Sequence, residues 1–104
     1  MRKVQFDENG QQTTAYALGT TQVMTATASS VQSSAVAAGC TIIRLANGGG
    51  SHAHFAIGSN PTASLTTSPM IPTNTVEYIK VNGGDKVAVI RGATATDIAI
   101  TQVV

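Results

Sequence analysis

The only two histidines of the chain lie two residues apart, in the segment GGGSHAHFAIGSNPTA (residues 48–63). A His-x-His pair can share a metal ion when it lies on a strand, because alternate strand residues point to the same face. A metal site normally needs three or four ligands. There is no third histidine, and residues 55–58 contain no acidic side chain. We therefore expect no metal at His52 and His54, which we interpret as strand residues facing solvent or a neighbouring subunit. A site completed by a carboxylate from a loop or another chain is the alternative.

Other residue types that support catalysis are present without the pattern that catalysis requires. The glycine run Asn47–Gly50 lacks the G-x-x-x-x-G-K-[ST] sequence of a phosphate-binding loop, which favours a hairpin loop. Cys40 is the single cysteine, so no disulfide can form within the chain. No G-x-S-x-G nucleophile motif occurs, and the only adjacent acid pair is Asp7-Glu8. The sequence therefore predicts a protein that is not an enzyme and binds no cofactor.

The composition limits the possible partners. Charged residues make up 11% of the 104 residues and the net charge is +1, against about 25% charged residues in a typical soluble domain. The six basic residues are scattered, so no phosphate-binding stripe is expected and nucleic acid is disfavoured. The sequence contains no run of about 20 apolar residues, so no membrane span is expected. A nearly neutral surface packs against copies of itself without charge repulsion, which favours a component of an assembly.

The residue types favour an all-β fold. Isoleucine and valine together number 18 and threonine 15, whereas leucine numbers 3. β-branched side chains fit a pleated sheet and lose rotamer freedom in a helix. Short apolar runs alternate with corners of Gly, Pro, Asn and Ser. The sequence predicts an antiparallel β-sandwich, jelly-roll or Ig-like, with about seven or eight strands.

Two hairpins are expected within this sandwich. In Val76–Val81 the residues Val76, Tyr78 and Lys80 alternate with Glu77, Ile79 and Val81. The segment Lys86–Ile90 runs back after Asn82–Asp85, whose types accept the positive φ of a tight turn. Thr41–Leu45 and Ser51–Ile57 form the second expected pair.

Further strands are expected elsewhere. They are Gln22–Thr27, Val31–Ala37, a short strand around Ala63–Thr66, and Asp97–Val103. The residues expected to face inward are Ile42, Leu45, Phe55, Ile57, Ile79, Val81, Val87, Val89, Ile98 and Ile100.

Two polar segments of the chain differ from the expected core-forming strands. Residues 1–20 are read as a polar N-terminal arm or a first edge strand, and residues 21–104 as the β-sandwich domain. Met1–Thr14 and the proline- and threonine-rich segment Pro61–Thr75 are polar and supply little of the expected core. Both segments are therefore candidates for contacts with other proteins.

From about Val23 to Val103 the order of sequence pieces resembles small virion proteins of tailed bacteriophages. The pieces that carry the resemblance are GCTIIRLANG, then HFAIGSNPTASLTTSPMIPTNTVEYIKVNGGDKVAVI, then TDIAIT. The resemblance points to capsid decoration, or cement, proteins. These are small β-sandwiches that bind the outside of the head, often as trimers.

This resemblance implies a structural protein of the virion that is assembled in the host cytoplasm and stabilises the capsid shell from outside. The expected partners are the major capsid protein and two further copies of the chain, with no nucleic acid and no membrane. The alternative is a head-fibre or tail-associated, adhesin-like module that binds a host surface glycan. Residues expected to contact the capsid or a neighbouring subunit are Arg2, Lys3, Phe6, Thr66, Thr67, Met70 and Ile71.

Overall fold

The computed structural model describes residues 2–6 and 12–103, and its side-chain description covers residues 17–103. All regular elements in these residues are strands, so the expectation of an all-β chain is confirmed. The strands are β1 (Arg2–Phe6), β2 (Gln12–Tyr16), β3 (Leu18–Ala26), β4 (Val31–Gln32), β5 (Ile42–Asn47), β6 (Ala53–Gly58), β7 (Met70–Ile71), β8 (Thr75–Lys80), β9 (Lys86–Arg91) and β10 (Thr96–Val103).

Eight strands form two antiparallel four-stranded sheets. The first, sheet 1, has the order β3-β10-β5-β8, and the second, sheet 2, has the order β4-β9-β6-β7. Across residues 18–103, every connection except β6 to β7 passes from one sheet to the other. This alternation is the strand order of a jelly roll. An Ig-like sandwich pairs many consecutive strands within one sheet, so the jelly roll is the correct alternative of the two.

The core lies between the two sheets and follows the period-two alternation of the strands. β5 alternates half-buried and buried residues, and β10 buries Ile98 and Ile100 beside it. Fully buried aliphatic side chains from both sheets form the centre of the core: Ile43, Leu45, Ile71, Val87, Val89, Ile98 and Val103. Aliphatic burial of this kind is the dominant stabilising term for a domain without a disulfide.

Both hairpins expected from the sequence are wrong. β8 pairs with β5 in sheet 1, whereas β9 pairs with β6 and β4 in sheet 2. Likewise β5 and β6 lie in different sheets. The strands themselves are where the sequence places them, but their connections arch across the core and do not return to a neighbour in the same sheet.

The corner after β8 shows why the chain changes sheets there. Val81 N–H donates to Thr41 C=O at 2.9 Å and continues the pairing of sheet 1. After the turn, Val36 N–H donates to Asp85 C=O at 2.8 Å, on the side of sheet 2. Gly84 adopts φ 89°, as expected for this turn. The five residues from Val81 to Asp85 span the distance between stacked sheets, about 10 Å, instead of the ~4.8 Å between paired strands.

Four smaller expectations also change. Ile42 is half-buried and its neighbour Ile43 is fully buried, so the inward face of β5 is the opposite of the one expected at this position. The short strand expected at Ala63–Thr66 is a turn, and the strand in this region is β7. The expected strand Val31–Ala37 shortens to β4, after which the chain is irregular and turns at residues 38–39. Ile57 and Ile79, expected inward, are half-buried and pack against the core.

Asn47, at the end of β5, is 1% exposed and uses its whole amide in hydrogen bonds. Its Nδ2 donates to Ser51 C=O at 2.8 Å and to Ile71 C=O at 3.2 Å. Its Oδ1 accepts from Gly49 N–H at 3.1 Å and from Thr96 Oγ1 at 2.8 Å. An asparagine amide has two donor hydrogens and two acceptor positions, and all four are used here. One side chain therefore joins the β5–β6 corner to β7 and to the start of β10.

β1 and β2 form a separate two-stranded sheet, which we call the N-terminal hairpin. The register pairs Arg2 with Tyr16 and Phe6 with Gln12. Residues 2–6 and 12–16 are thus regular strands, in a segment for which the sequence left a polar arm and a first edge strand open. Ala17 alone separates β2 from β3, so the boundary expected after residue 20 falls within β3.

The packing of β5 predicts different losses of stability at two adjacent isoleucines. Ile43→Ala should lower the free energy of unfolding by about 3 kcal/mol, because it leaves a cavity between the sheets. The matched substitution Ile42→Ala, on the opposite face, should cost no more than about 1 kcal/mol. Denaturant titration of both variants measures these losses. Equal losses, or a larger loss for Ile42→Ala, would contradict the assignment of the inward face.

Removal of the Asn47 amide should also destabilise the fold. Asn47→Ala leaves two buried carbonyls, one N–H and one hydroxyl without their partner, and we expect a loss of about 3 kcal/mol. The control is Asn60→Ala, which removes one exposed acceptor of Gln32 Nε2 and should cost less than about 1 kcal/mol. The same denaturant titration separates the two, and a small loss for Asn47→Ala would show that the four hydrogen bonds contribute little.

Candidate functional site: exposed loop patch, histidine pair and edge groove

The loop between β6 and β7 presents an exposed patch, the β6–β7 patch, formed by Leu65, Thr66, Thr67 and Met70. Leu65 is 47% exposed and Met70 is 50% exposed, which is unusual for side chains of this size and polarity. Scattered single apolar residues on a surface need no explanation, but two exposed apolar side chains on one connection, with exposed threonines between them, make a candidate contact site.

Hydrogen bonds inside the loop hold this patch in one conformation. Ser68 Oγ accepts from Ser64 N–H at 2.9 Å, and Ser64 C=O accepts from Ser68 N–H at 3.1 Å. Ser64 Oγ also accepts from Thr66 N–H at 3.2 Å. A loop ordered before it binds loses less conformational entropy on association. The patch is therefore a preorganised surface.

The structure brings together part of the contact set expected from the sequence. Thr66, Thr67 and Met70 are exposed and belong to the β6–β7 patch. Ile71 is fully buried in the core, so it is removed from the set of surface residues. The sequence missed this because Ile71 follows an exposed neighbour in a two-residue strand, too short to show alternation. Leu65 was missed because a single leucine in a threonine-rich segment carries no pattern.

The remaining three residues of that set lie in the N-terminal hairpin. Arg2, Lys3 and Phe6 are all in β1, opposite Tyr16, Ala15 and Gln12 of β2. Their side chains lie outside the described residues. The hairpin and the β6–β7 patch belong to different sheets, so no strand pairing joins the two parts of the set.

His52 and His54 lie beside each other, with ring centroids 5.8 Å apart and an edge-to-face arrangement. His54 Nδ1 donates to Ser68 C=O at 2.8 Å, since a carbonyl can only accept, and this bond ties β6 to the base of the β6–β7 patch. The ring of His52 packs directly on Gly92, where any Cβ would overlap the imidazole. Both rings therefore have structural contacts of their own.

This arrangement offers little to a metal ion. His54 uses one ring nitrogen in its hydrogen bond, which leaves Nε2 as its only free ligand atom. Among residues 17–103, no three or more His, Cys, Asp or Glu side chains are grouped closely enough to hold a metal. Cys40 is buried, and its Sγ donates to Ile42 C=O at 3.3 Å. It packs as a small apolar residue.

A groove of about 540 Å³ opens between the edges of the two sheets. We call it the edge groove. Phe55 and Ile57 of β6 form one side, Ile79 and Val81 form the other, and Lys80 and Asp85 supply the charged groups. Its volume is typical of a ligand site. Its apolar lining, however, consists of residues that belong to the core or pack against it. The groove exists because β7 pairs only with Ala53 and His54, which leaves the rest of β6 without a strand on that side.

A second exposed surface crosses the outer face of sheet 1. Cross-strand pairing places Val23, Ala99, Ala46 and Val76 in one row over all four strands. Val23 is 65% exposed and Val76 is 45% exposed. Tyr78 is the exposed aromatic residue of the next row, opposite Arg44. The sequence placed Val23, Val76 and Ala99 in strands, but not Ala46, which follows the expected strand Thr41–Leu45. It held no signal that the row would be continuous, since the row depends on strand order.

In comparisons with protein-family models, curated proteins and solved structures, no match to this chain was found. Within the described residues there is no helix that could cross a membrane. The candidate surfaces must therefore be interpreted from their own chemistry.

The histidine geometry predicts the metal content of the protein. Protein purified without added metal should contain far less than one equivalent of zinc, copper or iron, because two imidazoles with structural contacts provide too few ligands. Inductively coupled plasma mass spectrometry measures this directly. A stoichiometric metal that disappears in the His54→Gln variant would overturn the prediction, because it would require ligands from elsewhere to complete the site.

Proposed function

We propose that this chain is a non-enzymatic structural protein of a tailed-phage virion, which binds the outside of the capsid shell as a homotrimer and stabilises it. The observation that carries the proposal is the β6–β7 patch. It is apolar at Leu65 and Met70, neutral at Thr66 and Thr67, and ordered by its own hydrogen bonds. Such a surface suits a protein partner, since little charge must be desolvated on contact.

The sequence layout supports the same proposal through its resemblance to capsid decoration proteins. Low charge throughout the chain allows many copies to lie close together on a lattice. The jelly-roll sandwich supplies a rigid support from which one short loop can reach a partner. The host-glycan alternative has less support, because Tyr78 is the only exposed aromatic ring among residues 17–103, and sugar sites commonly use aromatic stacking.

Trimerisation explains how so small a contact could hold a shell. A stable interface normally needs about 800 Å² on each partner. A single short loop supplies less area than this. In a trimer whose spacing matches a three-fold axis of the lattice, the second and third contacts become intramolecular. Avidity then rises by roughly 10²- to 10⁴-fold.

Cosedimentation with empty capsids tests this function. Wild-type protein should pellet with capsids, and the double variant Leu65→Ser, Met70→Ser should bind at least about tenfold more weakly, because it removes both apolar anchors. The matched control is Val23→Ser, Val76→Ser, which removes two exposed apolar side chains from the outer face of sheet 1.

Control binding equal to wild type, with loss only in the patch variant, is the expected result. Equal loss in both variants would remove the patch from the interface. Absence of wild-type binding to capsids, together with binding to host cells or to glycans on an array, would replace the proposal with the adhesin alternative.

A further inference from the structure

The described residues contain two Asn-Gly pairs, Asn47–Gly48 and Asn82–Gly83. An asparagine side chain loses ammonia when the backbone nitrogen of the next residue attacks its amide carbon. Glycine permits this attack best, because it has no Cβ to hinder the approach or to restrict the backbone. The reaction also needs an asparagine side chain that is free to turn towards that nitrogen. The two pairs have the same sequence, and they differ in this second requirement.

Asn47 is held away from this reaction. It is 1% exposed, and its amide makes the four hydrogen bonds described above. The attacking nitrogen of this pair is also engaged, because Gly48 N–H donates to Asp97 C=O at 3.3 Å. The amide carbon and the nitrogen can therefore meet only after the corner opens locally and these hydrogen bonds break.

Asn82 has the opposite arrangement, in the corner between β8 and β9. Its backbone is fixed, since Asn82 N–H donates to Asp85 Oδ2 at 2.9 Å and Asp85 N–H donates to Asn82 C=O at 3.0 Å. Its side chain is exposed and makes no hydrogen bond within the described part of the chain, and neither does Gly83 N–H. The amide carbon and the attacking nitrogen are thus both free, in a turn that water can reach.

The fold requires glycine at position 83. A Cβ on Gly83 would overlap the backbone of Ala38. Next to this contact, two backbone hydrogen bonds join Val36 to Gly84 and Asp85, at 3.0 and 2.8 Å. The packing that carries the chain from sheet 1 to sheet 2 therefore selects the residue type that makes the preceding asparagine most reactive.

We propose that Asn82 is a site of spontaneous deamidation in the folded protein and that Asn47 is protected from it. The Gly83 nitrogen attacks Cγ of Asn82, and its proton leaves with the side-chain nitrogen as ammonia, so that a cyclic imide forms. Water then opens the imide at one of its two carbonyls, which produces aspartate or isoaspartate. Water is the only other reactant, and no group is oxidised or reduced.

The modification changes the corner in charge and in backbone length. Either product adds one carboxylate next to Asp85 and takes the formal net charge of the chain from +1 to 0. Like charges at such close range repel each other. Isoaspartate also inserts a methylene into the main chain before Gly83, which has no spare room against Ala38. Because Asn82 and Asp85 line the edge groove, ageing alters the charge of that groove. The reaction depends neither on capsid binding nor on trimerisation.

Ageing of the folded, full-length protein tests the site. The protein is kept in mildly alkaline buffer made with water that carries a heavy isotope of oxygen, and is then digested. Peptide-mapping mass spectrometry measures conversion, and fragment ions assign it to one asparagine at a time. The isotope marks conversion that took place during ageing and not during digestion. Asn74 is the matched exposed site, since it is followed by Thr75 in place of glycine.

Asn82 should convert at least about a hundredfold faster than Asn47, whose reaction waits for local opening. It should convert about tenfold faster than Asn74, because the next residue there has a β-branched side chain. Ageing in denaturant should bring Asn47 and Asn82 to similar rates, since both are then unfolded Asn-Gly pairs. Conversion of Asn82 in the folded protein at no more than the rate of Asn47 or Asn74 would overturn the proposal.

The variant Asn82→Gln tests the effect on the corner. Attack on a glutamine side chain closes a larger ring, so this variant should stay unmodified over the same period. Aged wild-type protein should then unfold at a lower denaturant concentration than fresh protein, whereas aged and fresh Asn82→Gln should unfold alike. Unchanged unfolding of wild-type protein in which Asn82 has been converted would show that the corner accommodates the product, contrary to the proposed effect.

Discussion

The sandwich depends on the satisfied amide of Asn47. A jelly roll carries its backbone from one sheet to the other many times, and the crossing from β5 to β6 buries Asn47 and Ser51, where polar groups must find partners within the protein. Asn47 satisfies such groups at the β5–β6 corner and in β7, and binds Thr96 at the start of β10. Ser33 has a similar role at β4, where its Oγ accepts from Val87 N–H at 2.9 Å. The aliphatic core supplies most of the stabilising energy. The polar side chains of Asn47 and Ser33 pair the backbone groups where the chain passes from one sheet to the other.

The sequence revealed the strands, and most of the inward residues, but not which strands are neighbours. Alternation identifies the buried face of a strand, and Leu45, Phe55, Val87 and Ile98 followed it. The same alternation fits a hairpin within one sheet and an arch between two sheets, because the apolar residues meet the core in both cases. The distinction lies in hydrogen bonds made by the corner, such as those of Val81 and Asp85, and these depend on residues distant in sequence.

The candidate surfaces could be predicted only in part for the same reason. Thr66 and Thr67 were identified because polar, proline-rich segments lie outside cores. The edge groove could not be predicted, since it results from the shortness of β7 beside a longer β6. The buried Oε2 of Glu77, which has no hydrogen-bond partner in the described part of the chain, could be identified only with knowledge of which face of β8 points inward. Each of these features depends on strand neighbours, which one sequence does not specify.

The position of β10 has a consequence for how the protein is made. β10 lies between β3 and β5, so the last strand of the sandwich to leave the ribosome is an interior strand of sheet 1. Until then β3 and β5 have no common neighbour, and their edges remain open to other nascent chains. Loop-closure entropy must be overcome across almost the whole sandwich before sheet 1 forms, which slows folding. Sheet 1 therefore forms in one late step, after β10 has been synthesised.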